Sequence, residues 1–197
     1  MYTIFKIGVY STNNRPILIL AIILAMVSCS PSNGIVEIHY PNDQLKARGR
    51  LAENKKEGLW IYFYENGSKM KETNFKKNLK NGISKIWYEN GQLKSKSTYA
   101  EDKLIGQSEA WFKNGQLNYF HHYNKDGLSD GEFEIFYNSG SLRQRGRFAS
   151  GKSVGAWFTF YENGELKSRS EYNTLGEKAG YWFDISNSGD TISQRKY

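Results

Sequence analysis

The sequence predicts an all-β protein, an elongated antiparallel meander of repeated β-hairpins with about seven units of 24 residues. Three observations support this fold class. The chain repeats itself every 24 or 25 residues, Asn-Gly pairs lie between aromatic runs, and aromatic residues make up 15% of the 197 residues while there are 3 prolines. Aromatic residues and glycines with few prolines favour short strands and tight turns. Because one hairpin alone is marginally stable, we expect stability to come from stacking of successive units.

Glycines mark the repeat. Each unit opens at a glycine, and a second one follows nine residues later, as in Gly58 and Gly67. An Asn-Gly pair between two apolar runs predicts a hairpin with a type I′ turn, in which both central residues have φ > 0. The connection at the other end of each hairpin is polar and varies in length, so we expect about thirteen strands over residues 36–197. The predicted turn glycines are Gly67, Gly91, Gly115, Gly140, Gly164 and Gly189.

The turn also predicts which side chains face each other. A two-residue turn at Asn90-Gly91 would place Tyr88 opposite Leu93 and Trp87 opposite Lys94. By alternation along the strands, the face that carries Tyr88 and Leu93 is predominantly apolar. We therefore expect that face to form the core.

The opposite face is the candidate partner-binding surface, because it repeatedly places a base beside an aromatic ring. Such pairs suit an anionic or ring-bearing partner. The alternative is that long basic side chains simply cover the rings while their charged ends stay in water. Glu109 and Glu134 interrupt the basic stripe. The residues of this surface are Trp87, Lys94, Lys96, Phe136, Arg143, Arg145, Phe160, Lys167 and Arg169.

Residues 1–28 are predicted to be a lipoprotein signal peptide. Two bases flank an apolar run at 17–27, which is shorter than the roughly 20 residues that a spanning helix needs. The end of this run, Met-Val-Ser followed by Cys29, resembles a bacterial lipobox, although Leu is usual where Met26 stands. The resemblance implies that Cys29 is diacylated and begins the mature chain, with 29–35 as a flexible tether. An ordinary secretory signal, in which Cys29 is incidental, is the alternative.

Composition and motifs exclude several function classes. Beyond residue 28 the chain has 25 basic and 20 acidic residues, a balance too even to predict nucleic-acid binding. The glycines lie at hairpin turns, where they form no phosphate-binding loop. His121 and His122 are adjacent on a strand and point to opposite faces, so they cannot chelate one metal ion. No nucleophile, acid and base converge, and we expect neither an enzyme nor a cofactor.

The motif Gly-x-Trp recurs at 58–60, 155–157 and 180–182, with Ser84, Ser108 and Phe133 replacing the tryptophan elsewhere. With this unit, residues 36–197 resemble the MORN repeat family, and most of all its bacterial YwqK-like branch, whose members are often labelled antitoxin components. The resemblance implies a scaffold and leaves activity open.

Two functions follow from these observations. The first is a non-catalytic envelope lipoprotein that faces the periplasm or the cell exterior. It would be anchored in the membrane by its lipid, and its sheet would bind or scaffold a protein, glycan or lipid headgroup. The second is an antitoxin or immunity-type protein that neutralises a partner toxin. The oligomeric state stays open at this point.

Overall fold

The computed structural model describes residues 32–197, so the predicted signal peptide and Cys29 lie outside the described residues. The described chain forms one sheet of 14 antiparallel strands in chain order. The predicted all-β hairpin meander is therefore confirmed. The expected number of strands, about thirteen, was too low, because all seven units form a complete hairpin. Within residues 32–197 no helix is long and apolar enough to cross a bilayer.

The strands are β1 Gly34–His39, β2 Leu45–Ala52, β3 Lys55–Phe63, β4 Lys69–Lys76, β5 Leu79–Trp87, β6 Leu93–Ala100, β7 Lys103–Trp111, β8 Leu117–Tyr123, β9 Ser129–Phe136, β10 Leu142–Ala149, β11 Lys152–Phe160, β12 Leu166–Tyr172, β13 Tyr181–Ile185 and β14 Thr191–Lys196.

The core lies on one face of the sheet, here called the inner face, and centres on a row of side chains that crosses successive strands. Trp60 is 1% exposed and Thr73 opposite it is 0% exposed. The row contains the position where the repeat carries tryptophan, together with its cross-strand partner in the next strand. From β3 to β10 its members are Trp60, Thr73, Ser84, Ser97, Ser108, His121, Phe133 and Gly146.

Two glycines let the tryptophans of this row lie against the backbone of the preceding strand. A Cβ atom at Gly49 would lie 2.2 Å from Cδ2 of Trp60, and one at Gly146 would lie 2.1 Å from Cδ2 of Trp157. These distances are far inside van der Waals contact, so no other residue fits there while the indole rings keep their positions.

Where serine replaces tryptophan, the neighbouring strand supplies a hydroxyl group. The hydroxyls of Thr73 and Ser84 are 2.8 Å apart, and those of Ser97 and Ser108 are also 2.8 Å apart. All four residues are buried, and each hydroxyl therefore finds the partner that burial of a polar group requires.

The turns at the Asn-Gly pairs are not the predicted type I′ turns. The amide of Gly91 donates to the Tyr88 carbonyl at 2.9 Å, and the amide of Tyr88 donates to the Gln92 carbonyl at 2.8 Å. The loop thus has three residues, and Gly91 takes the left-handed conformation with φ of 85°. Asn90 is not left-handed; its side-chain oxygen accepts from the amide of Gln92 at 3.1 Å. This is the three-residue hairpin loop that ends in a left-handed glycine.

Two-residue turns with positive φ at both positions occur instead at the other end of the hairpins, at Glu53-Asn54, Lys77-Asn78 and Glu101-Asp102. At this end, Asn124–Leu128 and Asn173–Glu177 are closed by the three-residue pattern. The extra residue of these two loops explains why some units have 25 residues instead of 24.

The longer loop changes the pairing beside each Asn-Gly turn. Trp87 opposes Leu93, and the next pair is Ile86 with Ser95, which leaves Lys94 as the extra residue of a bulge. The predicted pairs Tyr88–Leu93 and Trp87–Lys94 were therefore wrong. Two-residue turns would likewise place Phe136 opposite Arg143 and Phe160 opposite Lys167, whereas the structure pairs Phe136 with Leu142 and Phe160 with Leu166. Beyond the bulge the register is the one that a two-residue turn implies, so the faces of the more distant residues are unaffected.

Tyrosine hydroxyls connect each hairpin to the next one. The hydroxyl of Tyr88 donates to the carbonyl of Trp111 at 3.0 Å. The same bond recurs from Tyr40 to Phe63, Tyr64 to Trp87, Tyr137 to Phe160 and Tyr161 to Ile185, at 2.7 to 2.9 Å. Phe112 occupies this position in its unit and has no hydroxyl to donate, so the series is interrupted there.

The substitution Phe112→Tyr should restore the missing bond, to the carbonyl of Phe136 at the equivalent repeat position. We expect a gain in the free energy of unfolding of about 0.5–1.5 kcal/mol, the usual net contribution of one such hydrogen bond. Tyr88→Phe is the matched control and should lower the free energy of unfolding by a similar amount. Urea denaturation followed by tryptophan fluorescence measures both. A stabilising effect of Tyr88→Phe, or a destabilising effect of Phe112→Tyr, would contradict this account.

Candidate functional site

The face opposite the core, here called the outer face, carries a second row of side chains. In its N-terminal part, charges of opposite sign meet. Arg48 lies 3.6 Å from Glu37 and Lys96 lies 4.0 Å from Glu109, while Glu72 pairs with Lys69. Exposed ion pairs of this kind contribute about 0–1 kcal/mol each, so they mainly balance charge. The row comprises Glu37, Arg48, Ile61, Glu72, Lys85, Lys96, Glu109, Phe120, Glu134, Arg145, Phe158, Arg169, Phe183 and Gln194.

Towards the C-terminus the same row changes to aromatic rings and arginines. Arg145, Phe158, Phe160, Arg169 and Phe183 form what we call the outer-face patch. The guanidinium carbon of Arg145 lies 5.1 Å from the ring centre of Phe158 and 5.9 Å from that of Phe160. The two rings are stacked with their centres 6.4 Å apart. Arg169 lies between Phe158 and Phe183 in the strand register.

Hydrogen bonds hold Arg169 in place. Its Nη2 atom lies 2.8 Å from Oε2 of Glu171, and its Nη1 atom donates to the carbonyl of Tyr181 at 3.0 Å. A shallow groove of about 630 Å³ starts beside this residue and is lined by Tyr181, Phe183 and Ile185, among others. The patch therefore continues into a concave, partly aromatic surface.

The structure separates the other predicted surface residues from this patch. The bulge residues Lys94, Arg143 and Lys167 each lie over the tyrosine that begins their own turn. The distances from their charged groups to the ring centres of Tyr88, Tyr137 and Tyr161 are 5.3, 5.7 and 5.3 Å. These basic side chains thus cover rings of their own hairpins, which is the alternative that the sequence left open.

The remaining predicted members lie elsewhere on the outer face. Trp87 has the Nζ atom of Lys69 at 5.1 Å from its ring centre, and Lys96 is paired with Glu109. Phe136 pairs with Leu142. Of the nine predicted residues, the structure brings Arg145, Phe160 and Arg169 together and adds Phe158 and Phe183, which the sequence reasoning missed.

Lysines on the inner face were also missed. The Nζ atom of Lys56 is 4.5 Å from the Trp60 ring centre and 2.8 Å from the Tyr62 hydroxyl, and that of Lys71 is 5.4 Å from the Tyr62 ring centre. Burial lowers the pKa of Lys71, and the positive charges of Lys80 and Lys56 lower it further. The repeat itself held a signal for these residues, because lysine stands two positions before the unit glycine at 56, 80 and 178.

His121 lies in an aromatic cluster on the inner face. Its ring centre is 4.3 Å from that of Tyr123, 5.0 Å from Phe133 and 5.4 Å from Phe148. The Nε2 atom is buried and has no hydrogen-bond partner among residues 32–197. Burial lowers the pKa of His121, and the charge of His122 lowers it further.

His122 takes a different environment, with Nδ1 2.7 Å from the carbonyl oxygen of Asp130. In the part of the chain that the structure describes, no three His, Cys, Asp or Glu side chains are grouped as they would be around a metal ion.

The family model of the MORN repeat variant matches this chain four times, at residues 56–77, 80–101, 129–149 and 153–174. Each match begins in the first strand of a hairpin and ends in or just after its second strand, in agreement with the observed units. Four of the seven repeat units are thus similar to the MORN repeat variant. The first hairpin (32–55), the unit with Phe112 and His121 (102–128) and the last hairpin (175–197) lie outside the matches.

Two other comparisons add little to this finding. None of the curated proteins matches the chain. Among solved structures, a crystal structure of an S. aureus TarM mutant in complex with Fondaparinux, alpha-GlcNAc-glycerol and UDP is similar at 13% identity and a TM-score of 0.33. The match covers 61% of this chain and 21% of the TarM chain, so this chain spans about a fifth of that protein. A similarity this low carries no argument about function.

The environment of His121 predicts that acid destabilises the sheet. Because burial holds the pKa of this histidine below the unfolded value of about 6.5, the unfolded state binds its proton first as the pH falls. Stability should therefore decrease as the pH falls below about 6.5, and the loss should be complete below the folded pKa. Thermal unfolding of His121→Phe between pH 7.5 and 5 should show a smaller decrease than the wild type. His39→Gln, outside the cluster, should keep the pH dependence of the wild-type unfolding temperature. An equal decrease of the unfolding temperature in the wild type and in His121→Phe would contradict this prediction.

Proposed function

We propose that this chain is a non-catalytic lipoprotein of the bacterial envelope, whose MORN-type sheet binds a partner through the outer-face patch. The observation that carries the proposal is the position of Arg145 against the stacked rings of Phe158 and Phe160. MORN repeats are commonly binding or scaffolding modules, which fits a surface of this kind.

The composition of the patch supports binding. Arginine and aromatic residues contribute most of the binding energy in many interfaces, because they bury large areas and lose little conformational freedom. Along the N-terminal part of the outer face, charges meet opposite charges. In the patch, three phenylalanines and two arginines lie side by side next to a groove. This arrangement favours a protein or glycan partner that offers both apolar and anionic groups.

The distribution of titratable groups supports a non-catalytic role. Among the described residues, the pKa is lowered at Lys71, His121 and Tyr197 and raised by burial at Tyr123. Lys71 lies on β4, the histidine and Tyr123 on β8, and Tyr197 after β14. Catalysis by acid and base needs groups of this kind within hydrogen-bond reach of one substrate. Lys71 and Tyr197 lie several strands away from His121 and Tyr123, and these two rings, 4.3 Å apart, are packed in an aromatic cluster.

The envelope location is supported by the sequence before the sheet. Cys29 is the only cysteine and follows directly on the apolar run and Ser28. Two acyl chains would hold the protein on a membrane far more firmly than one. The sheet would then begin a few residues beyond the anchor.

Intact-protein mass spectrometry of the membrane fraction tests the anchor. We expect a mature chain that starts at Cys29 and carries two or three acyl chains. The variant Cys29→Ala should lose this species and leave the membrane fraction, because it has no thiol to acylate. A chain that retains residues 1–28 without acylation would overturn the envelope part of the proposal and favour the alternative of an antitoxin that neutralises a partner toxin.

Site-directed photo-crosslinking in cells tests the outer-face patch. A photoreactive phenylalanine analogue at Phe158 should form a discrete adduct, and the added change Arg145→Glu should abolish it by placing a negative charge in the patch. The same analogue at Phe133, which lies on the inner face, is the matched control and should give no such adduct. An equal adduct from both positions, or one from Phe158 that survives Arg145→Glu, would contradict binding at the patch.

A further inference from the structure

The last repeat unit departs from the regular ladder. Strands β10 and β11 share five register pairs, whereas β12 and β13 share two, Ser168 with Asp184 and Arg169 with Phe183. The next contact is an isolated bridge between Tyr172 and Lys178. Between these points, the carbonyl of Tyr181 accepts a hydrogen bond from the guanidinium of Arg169. The sheet is therefore open between Ser170 and Trp182.

This opening forms a pocket of about 360 Å³, here called the C-terminal pocket. Its volume lies in the range of pockets that hold one small ligand. The lining residues are Ser168, Arg169, Ser170, Lys178, Trp182, Phe183, Asp184, Ser193, Arg195 and Tyr197.

One end of the pocket is basic. Arg195 opposes Trp182 and stands in the central inner-face row. The even-numbered strands from β2 to β12 carry glycine, serine, threonine or histidine at that position. The Nζ atom of Lys178 is 4.8 Å from the Trp182 ring centre and 3.4 Å from the Tyr197 hydroxyl. Among the salt bridges of residues 32–197, none involves Lys178 or Arg195. Two cations thus converge beside an indole without a carboxylate to neutralise them.

The other end of the pocket is suited to hydroxyl groups. Asp184 and Ser193 oppose each other two residues along the strands from Trp182 and Arg195, a separation of about 7 Å at the usual rise of a strand. The hydroxyl of Ser193 donates to Oδ2 of Asp184 at 2.7 Å. The carboxylate can accept further hydrogen bonds, and Ser168 and Ser170 also line the pocket. A ligand that fits would have its negative charge at one end and hydroxyl groups at the other.

We propose that the C-terminal pocket binds one anionic monosaccharide unit, with its carboxylate or phosphate on Arg195 and Lys178, its ring against Trp182 and its hydroxyl groups on Asp184 and Ser193. Charge-assisted hydrogen bonds from Arg195 select the anion. Asp184 rejects a second negative charge and selects hydroxyl donors. The proposed ligand contacts lie on the inner face and are not residues of the outer-face patch, although Arg169 and Phe183 of that patch also line the pocket.

Isothermal titration calorimetry on the full chain in detergent tests this assignment. The probes are glucuronate, glucose 6-phosphate, glucose and inorganic phosphate. We expect glucuronate and glucose 6-phosphate to bind with dissociation constants of about 1 mM or below, and glucose and phosphate to bind at least about ten-fold more weakly. Arg195→Gln and Lys178→Gln should each weaken the binding of both anionic sugars by about ten-fold or more, since each removes one charged contact.

Two variants serve as matched controls. Lys56→Gln removes a lysine at the same repeat position as Lys178, five units earlier, and should leave sugar binding unchanged. Asp184→Asn should weaken the binding of the anionic sugars and leave that of phosphate unaltered. Thermal unfolding of each variant separates loss of the pocket from loss of the fold. If Arg195→Gln fails to fold, the comparison of Lys178→Gln with Lys56→Gln shows whether the basic end of the pocket contributes to sugar binding.

Three results would overturn the proposal. Phosphate that binds as tightly as glucose 6-phosphate would show a bare anion site. Glucose that binds as tightly as glucuronate would show that Arg195 and Lys178 do not select an anion. No heat from either anionic sugar at concentrations up to about 10 mM would show that the pocket is not a sugar site.

Discussion

The structure depends on the burial of inner-face side chains against one another along the row that crosses the strands. The described strands form a single sheet, so each strand has to obtain its packing from its two neighbours. Trp60 is 1% exposed because Gly49 lets its ring lie flat on the backbone of the adjacent strand. In the middle of the sheet, hydroxyl pairs take the place of this contact. Both solutions keep the row thin, and the hydroxyl groups of each pair satisfy each other. Among residues 32–197, Nε2 of His121 and Nε1 of Trp157 are the buried side-chain atoms without a hydrogen-bond partner.

The two ends of each hairpin add bonds that act only between neighbours. At one end, a tyrosine hydroxyl donates to the carbonyl of the residue that ends the first strand of the next hairpin. At the other end, side chains of the turn cap backbone amides of the preceding unit: Asn78 accepts from the amide of Lys56 at 2.6 Å, and Asp102 from that of Lys80 at 2.8 Å. Stability is then close to a sum of units and nearest-neighbour terms, as in other repeat proteins. Because the stabilising contacts concentrate on the inner face and at the turns, the outer face is free to vary, and there the row changes from paired charges to arginines and phenylalanines.

The sequence was sufficient to predict the fold class, the unit length and the positions of the turn glycines, because each depends on a pattern that repeats. The sequence was not sufficient to predict the turn type at the Asn-Gly pairs. Asn-Gly suits a type I′ turn, yet it also suits a loop in which only the glycine is left-handed and Glu89 is added to the turn. This choice decided whether Trp87 faces Lys94 or Leu93. The bulge at Lys94 then restored the register, which is why Arg145 and Arg169 lie on the predicted face although the pairs beside the turns were wrong. Phe158 was overlooked although the register that the Asn163-Gly164 turn implies places it opposite Arg169. The pairings of Arg145 with Phe158 and of Arg169 with Phe183 join different hairpins, and no local pattern reveals them.

A repeated scaffold also changes where a specific site is to be sought. In a regular repeat unit every side chain has a counterpart 24 or 25 residues away, so a residue type that recurs at one position mainly serves the packing and the turns of the sheet. Residues without such counterparts are therefore candidates for a specific site. Arg195 stands in a row that otherwise holds small residues, aromatic residues and one histidine, and it does so where the ladder between β12 and β13 is shortest. At the open ladder, side chains take over part of the backbone bonding, since Arg169 donates to the carbonyl of Tyr181 and the indole of Trp182 to that of Glu171. Two departures from the repeat at one place are more simply explained by a ligand that uses both than by two independent losses of the repeat pattern.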